Sequence, residues 1–273
     1  MKRLDLVSEL LSIVGAGSAT AAVPPRELRS QSSLRPLPES PSSCSAELVS
    51  SGPLPLPVSG GGHVPQGQLL PSGSAVGSHL EDFAAEAAVP KVLLHACCAP
   101  CSGAILEALV AAKIPCTVFY SNDNIVPREE YDKRLNECLR YAEKMGVEIV
   151  EDPYDHERWL CEVSGLETEP ERGRRCQQCF MHRLSRAARY AAEHGFPVLT
   201  TTLASSRWKD LEQVNAAGLA ACALYPGVTW WPRNWRKDGL QERRSEIIRE
   251  QQFYNQLWCG CEFSQREPSL PRN

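Results

Sequence analysis

From about residue 90 onward, apolar and polar positions follow two alternating rhythms. Short apolar runs bounded by turn residues read as strands: Val92 to Leu94, Pro115 to Tyr120, Val147 to Val150, Val198 to Thr202 and Val228 to Trp231. Between them lie stretches with helical spacing, from Ser102, Arg128 to Met145, Tyr154 to Cys161, Cys176 to His194, Trp208 to Ala221 and Leu240 to Leu257. Gly146 and Gly195 stand where helix C-caps belong, and Ser102 where an N-cap serine can accept from an orphan backbone N–H. Strands alternating with helices predict an α/β fold: an open, mostly parallel sheet with helices on both faces. Ligands of such sheets collect beyond the C-terminal strand ends. Cys97 to Cys101, Asn122 to Asn124 and Thr201 to Ser206 should therefore line one rim.

The first 89 residues break this rhythm. Met1 to Val14 is a short amphipathic segment, and Asp5 and Glu9 interrupt the apolar run that a secretory signal would need. From Ala22 the chain is rich in Pro, Ser and Gly and carries too little apolar surface to offset its ordering entropy, which predicts disorder. The expected organisation is a disordered N-terminal extension over 1–89, a Rossmann-like catalytic and metal-binding domain over 90–264, and a disordered tail over 265–273. No apolar run approaches bilayer length, so no membrane partner is expected.

Composition changes this picture through cysteine. Twelve cysteines in 273 residues are too dilute for a disulfide-stapled domain, yet they cluster, which favours metal or redox chemistry in the reducing cytoplasm. Cys97, Cys98 and Cys101 fall at a strand-to-helix turn, where free N–H groups and the helix dipole favour thiolate. Cys176-Gln-Gln-Cys179 opens a second helix. Together, Cys97, Cys98, Cys176 and Cys179 make four thiolates, the complement of a [4Fe–4S] cluster or a structural zinc. Adjacent cysteines suit the larger cluster better, because each can bind a different iron. Cys259-Gly-Cys261 can close a small, strained disulfide, remain two thiols, or supply metal ligands. Cys116, Cys138, Cys161 and Cys222 read as small core residues.

The formal charge is −4, which excludes a wholesale nucleic-acid binder, but Lys and Arg outnumber Asp and Glu by roughly two to one from Glu171 to Arg249. In Trp230-Trp-Pro-Arg-Asn-Trp-Arg-Lys237 aromatics interleave with cations, a composition that can stack on unpaired bases and contact phosphates. Two readings of another class remain open: a zinc-stabilised nucleic-acid-binding module, and a thioredoxin-like dithiol oxidoreductase using Cys98 and Cys101.

The ordered set His95-Ala-Cys-Cys-Ala-Pro-Cys-Ser, Phe119-Tyr-Ser-Asn-Asp-Asn-Ile, Glu130-Tyr, Gly165 to Cys179, Thr200-Thr-Thr-Leu and Trp258-Cys-Gly-Cys resembles the QueH type of epoxyqueuosine reductase. The resemblance implies an oxidoreductase that reduces epoxyqueuosine to queuosine in tRNA, the last step of queuosine biosynthesis. It implies a [4Fe–4S] cluster on Cys97, Cys98, Cys176 and Cys179 and a redox-active pair, Cys259 and Cys261. It also implies a second, mononuclear metal ion (iron), for which Cys101, left over after the four cluster ligands, is the candidate ligand, with Asp123 second to it. The partners would be a tRNA anticodon loop carrying epoxyqueuosine and an unidentified electron donor. The N-terminal extension and the loop Ser121-Asn-Asp-Asn depart from the family pattern.

Overall fold

The computed structural model describes residues 5–20 and 88–264. The expected disorder between Ala22 and Ala87 and beyond Ser264 lies outside them. The element order is α1 (Leu6–Thr20), β1 (Val92–Ala96), α2 (Ala99–Ala111), β2 (Cys116–Tyr120), α3 (Arg128–Met145), β3 (Glu148–Glu151), α4 (His156–Glu162), α5 (Arg174–Glu193), β4 (Val198–Thr201), α6 (Leu211–Ala223), β5 (Thr229–Trp230) and α7 (Leu240–Glu250). Single 3-10 turns follow β4 at Thr202–Ser205 and close the described chain at Glu262–Ser264.

The five strands form one all-parallel sheet in the order β3-β2-β1-β4-β5. Its centre is apolar on both faces: β1 is buried throughout, as a strand covered by helices on two sides must be. The order explains which helices share a face. The chain steps outward from β1 through β2 to β3, then returns to the other side of β1 for β4 and β5. Right-handed crossovers place helices on opposite faces when the direction of winding reverses. Accordingly α2 packs with α3 and α7, whereas α5 packs with α6, β1 and β4. Doubly wound sheets bind ligands where the winding reverses. Here that point lies at the C-terminal ends of β1 and β4.

Three expectations are corrected locally. α2 begins at Ala99, with Cys98 as N-cap and Pro100 in the first turn, where a missing N–H costs nothing. Ser102 lies inside the helix and donates to the Cys98 carbonyl at 3.0 Å, so it is not the cap. α7 stops at Glu250 rather than Leu257, because Gln252 takes φ 52° and turns the chain back. Cys161, expected in the core, is exposed, and Cys116 is half-buried, whereas Cys138 and Cys222 are buried as expected.

The amphipathic reading of the first residues holds. α1 buries Leu6 and Leu10 in the main core and packs against β5. Its Glu9 accepts from Trp231 Nε1 at 2.9 Å and pairs with Arg233. That contact begins to account for the aromatic-cation stretch after β5. Trp230, Trp231 and Trp235 are all buried, and Trp235 Nε1 donates to Thr200 Oγ1 at 3.1 Å. They are core residues with satisfied N–H groups, and their faces are not offered to a nucleic acid.

Candidate active site

β1 ends at Ala96, and Cys97 and Cys98 make the turn into α2. Cys101 completes the first helical turn, which folds the three sulfurs to within 4.8 Å of one another. Cys97 and Cys98 Sγ are 3.8 Å apart. Hydrogen bonds from Cys101 and then Cys98 hold the Cys97 thiol well below its ordinary range. Cys101, as the partner that keeps its proton against Cys97, is pushed up to about 11. All three sulfurs share one triangle, and the thioredoxin-like reading has no role for Cys97 in it. That reading also loses its fold, since every strand pair among the described residues is parallel.

α5 brings the second pair of cysteines. Gly173 is its N-cap, Cys176 falls in its first turn, and Cys179 follows on the buried face. The loop before it is pinned by Arg175, whose guanidinium donates to the carbonyls of Leu166, Glu167 and Glu169. One turn further along the same face is Arg183, fully buried, donating to Ser121 O and Asn122 Oδ1. Burial opposes its charge, but the sulfurs of Cys179, Cys97 and Cys259 favour it. One guanidinium thus stands in the field of all three cysteine groups. Cys176 and Cys179 are not part of the tight Cys97–Cys98–Cys101 triangle.

The third group arrives from the C-terminal segment. Gly260 has φ 118°, and its carbonyl accepts from Val126 N at 2.9 Å. Arg134, ion-paired to Glu130 at 2.6 Å, donates to Cys259 O at 2.9 Å. These contacts fix Cys259 and Cys261 over the mouth of the sheet. Both are free thiols, and they are unlike each other. A hydrogen bond from Cys261 and the charge of Lys209 hold Cys259 well below the ordinary thiol range, whereas Cys261 is raised by the same pairing.

Around them is a cavity of about 300 Å³. Its floor is the expected rim: Cys97 and Cys101 after β1, Asn122 and Asn124 after β2, Leu203 and Ser206 after β4. Cys176, Cys259 and Cys261 complete the sulfur lining. Arg134, Arg172, Arg175, Arg183, Arg207, Lys209 and Arg244 also line it, against the single carboxylate of Glu171. The local basic face read from composition is therefore concave. Trp208, 67% exposed, and Leu257, 93% exposed, stand on the lining together with Trp258.

One expectation about a residue changes here. Asp123 does not line the cavity: its Oδ1 accepts from Asp155 N at 3.0 Å and its Oδ2 from His182 Nε2 at 3.0 Å. His95 is a buried pin between Thr201 and Ser121, held neutral because burial and then Arg183 lower it to about 3. Lys209, Trp208, Arg183 and Gln256 were not singled out from the sequence. Lone residues in polar loops and on one helix face carry no spacing signal that separates them from solvated ones.

Residues 92–267 match the family model "Epoxyqueuosine reductase QueH". A protein named epoxyqueuosine reductase QueH from Haemophilus influenzae is 46% identical over 177 residues, covering 65% of this chain and 72% of that relative. One of the same name from Acinetobacter baylyi is 45% identical over 177 residues, covering 65% and 81%. Another, from Thermotoga maritima, is 30% identical over 176 residues, covering 63% and 89%.

Proposed function

The chain belongs to the epoxyqueuosine reductase QueH family, and we infer from that membership and from the cavity that it is an oxidoreductase that reduces epoxyqueuosine to queuosine in tRNA. Removing the epoxide oxygen as water takes two electrons and two protons. The observation that carries the reading is one cavity walled by three separate cysteine groups and a majority of cations. Sulfur supplies the reducing chemistry, and the cations suit a polyanionic substrate.

The donor set fits a [4Fe–4S] cluster on Cys97, Cys98, Cys176 and Cys179. Each of these sulfurs faces a hydrogen-bond donor. Thr202 Oγ1 donates to Cys97 at 3.4 Å, Gln256 Nε2 to Cys98 at 2.7 Å and the Arg172 N–H to Cys176 at 3.3 Å, and Arg183 serves Cys179. Donors around four thiolates stabilise their charge and raise the potential of a cluster they hold. When bound, such a cluster passes single electrons between an external donor and the cavity. A second ion on Cys101 and Asp123 has less support, because both Asp123 oxygens already take hydrogen bonds, from Asp155 N and His182 Nε2.

Cys259 and Cys261 would carry the electron pair as a dithiol that closes to a disulfide. The modified base would turn out of its anticodon loop into the cavity, with Trp208 and Leu257 against the neighbouring nucleotides and Arg207 and Arg244 near phosphate. The clustered thiols suit a reducing compartment, which supports the cytoplasm as the site of action. No helix among the described residues is long and apolar enough to cross a membrane.

The test is anaerobic purification followed by iron, sulfide and zinc analysis, a visible spectrum, and turnover on tRNA bearing epoxyqueuosine. Four irons and four sulfides per chain, broad visible absorption and formation of queuosine are expected. One colourless zinc without sulfide and no turnover would replace this reading with a zinc-stabilised binding module.

A further inference from the structure

Lys209 is the feature of the cavity that the sulfur chemistry above leaves unused. It lies between the 3-10 turn after β4 and the start of α6, and its backbone is fixed at both ends of the peptide unit. Its N–H donates to Ser206 O at 3.3 Å, and its carbonyl accepts from Arg236 Nη2 at 2.8 Å. The side chain crosses to the C-terminal segment and places Nζ 2.6 Å from Cys259 Sγ, with the Phe180 ring 5.8 Å away. Lys209, Cys259 and Cys261 all line the cavity. The other ionisable groups acting on Lys209 are Cys176 and Cys179, and Arg183 is the second cation in the field of Cys259.

An ammonium taken partly out of water is costly unless a charge meets it. The partner at hydrogen-bond distance here is a sulfur, which offsets that cost as thiolate. Cys261 is placed differently: its Sγ stands 3.3 Å from Ser264 Oγ, so its one proton has an acceptor there as well as in Cys259, the arrangement of a thiol that keeps its proton. The pair is therefore set as one thiolate and one thiol. Such a pair carries two electrons but only one proton, and the reduction needs two.

We propose that Lys209 supplies the second proton: its ammonium pairs with the Cys259 thiolate and passes a proton to the epoxide oxygen as the two sulfurs join. The inference rests on the reductase reading. The balance is complete. The S–S bond and a carbon–carbon double bond form, and both carbon–oxygen bonds of the epoxide break. The pair gives two electrons, the Cys261 thiol gives one proton, and the Lys209 ammonium gives the other. Oxygen leaves as water, and a neutral amine remains beside a neutral disulfide. An external reductant then returns two electrons and two protons, one to Cys261 and one to Lys209.

Anaerobically purified, metal-loaded protein would be treated with iodoacetamide from pH 6 to 8, and Cys259 labelling read by peptide mass spectrometry. Single-turnover reduction of epoxyqueuosine tRNA would be followed in parallel. In the unaltered protein, labelling of Cys259 is expected to be rapid and nearly independent of pH. In Lys209→Met it should fall at least tenfold at pH 6.5 and rise with pH. In Lys209→Arg, the guanidinium should keep labelling pH-independent while turnover falls at least a hundredfold, because arginine does not give up its proton. Wild-type labelling in Lys209→Met, or wild-type turnover in Lys209→Arg, would overturn the proposal. If Lys209→Met does not fold, the Lys209→Arg result alone decides. Failure of the reductase reading looks different: no queuosine forms in any protein, whatever the labelling.

Discussion

At Gly260 the backbone takes φ 118°, a region costly to a side chain, and an added Cβ would stand 2.9 Å from Ile125 Cγ1 and 3.1 Å from Arg134 Nη1. Arg134 has little freedom to yield, because Glu130 and the Cys259 carbonyl both hold it. Gly260→Ala should therefore cost about 1–3 kcal/mol in chemical denaturation. It should also shift Cys259 away from Lys209 and lower turnover more than tenfold; wild-type turnover would show that the turn does not set the sulfur geometry. Trp208 poses the opposite case. It is largely exposed and binds nothing in the core, so Trp208→Ala should leave stability within about 0.5 kcal/mol. Loss of a stacked base should raise KM for tRNA by about tenfold while kcat changes little. An unchanged KM would remove Trp208 from the substrate surface. The sequence pointed instead at Trp230, Trp231 and Trp235, where aromatic and cationic residues interleave. That composition is shared by a base-stacking strip and by a core edge with satisfied indoles, and only the burial of these three separates the two. Cysteine spacing was far more legible, since packing alone does not call for three thiols at one turn and two more within a single turn of a second helix.

Helix α1 brings the element scale into play, because it stabilises the sheet edge from a part of the chain remote in sequence. Leu10 is fully buried, and truncating it leaves a cavity against β5 and its neighbours. Leu10→Ala should cost about 2–4 kcal/mol in urea denaturation of the whole chain. A change near zero would mean that α1 is not docked in solution. The apolar pattern showed α1 to be amphipathic but could not show its partner, since nothing local says which edge a remote helix covers. Element boundaries failed where a competing local interaction won. α7 ends early because the chain turns back at Gln252, and Tyr254 then binds Glu130 and Glu137 of α3. α5 was read well because its apolar positions recur at helical spacing over five turns. What its pattern did not reveal is that Arg183 lies on the buried side, where a cation is expected only beside partners such as these sulfurs.

For the molecule as a whole, alternating strands and helices predicted a parallel α/β sheet, and the sheet is parallel throughout. The order β3-β2-β1-β4-β5 was not legible, because the direction of each crossover depends on which helix faces pair and not on any local signal. That order nevertheless decides the site, since it puts the winding reversal between β1 and β4, beside the cysteine turn and the Thr202 turn. It also brings Arg172, Arg175, Arg183, Arg207, Lys209 and Arg244, from the second half of an acidic chain, to one cavity. A basic concavity on an acidic body should bind tRNA through few, local phosphate contacts, with the rest of the surface repelling it. Single-stranded contacts release about 0.7 counterions each, so three or four of them should raise KM by roughly 20- to 50-fold between 50 and 200 mM salt. Measuring kcat and KM across that range separates binding from chemistry: kcat should hold while KM climbs. Arg207→Ala should then flatten the logarithmic slope by about 0.7 without changing the visible spectrum of the bound metal. A slope near zero in the unaltered protein would mean that recognition runs through the base alone, and that the cavity cations serve the sulfurs instead of the nucleic acid.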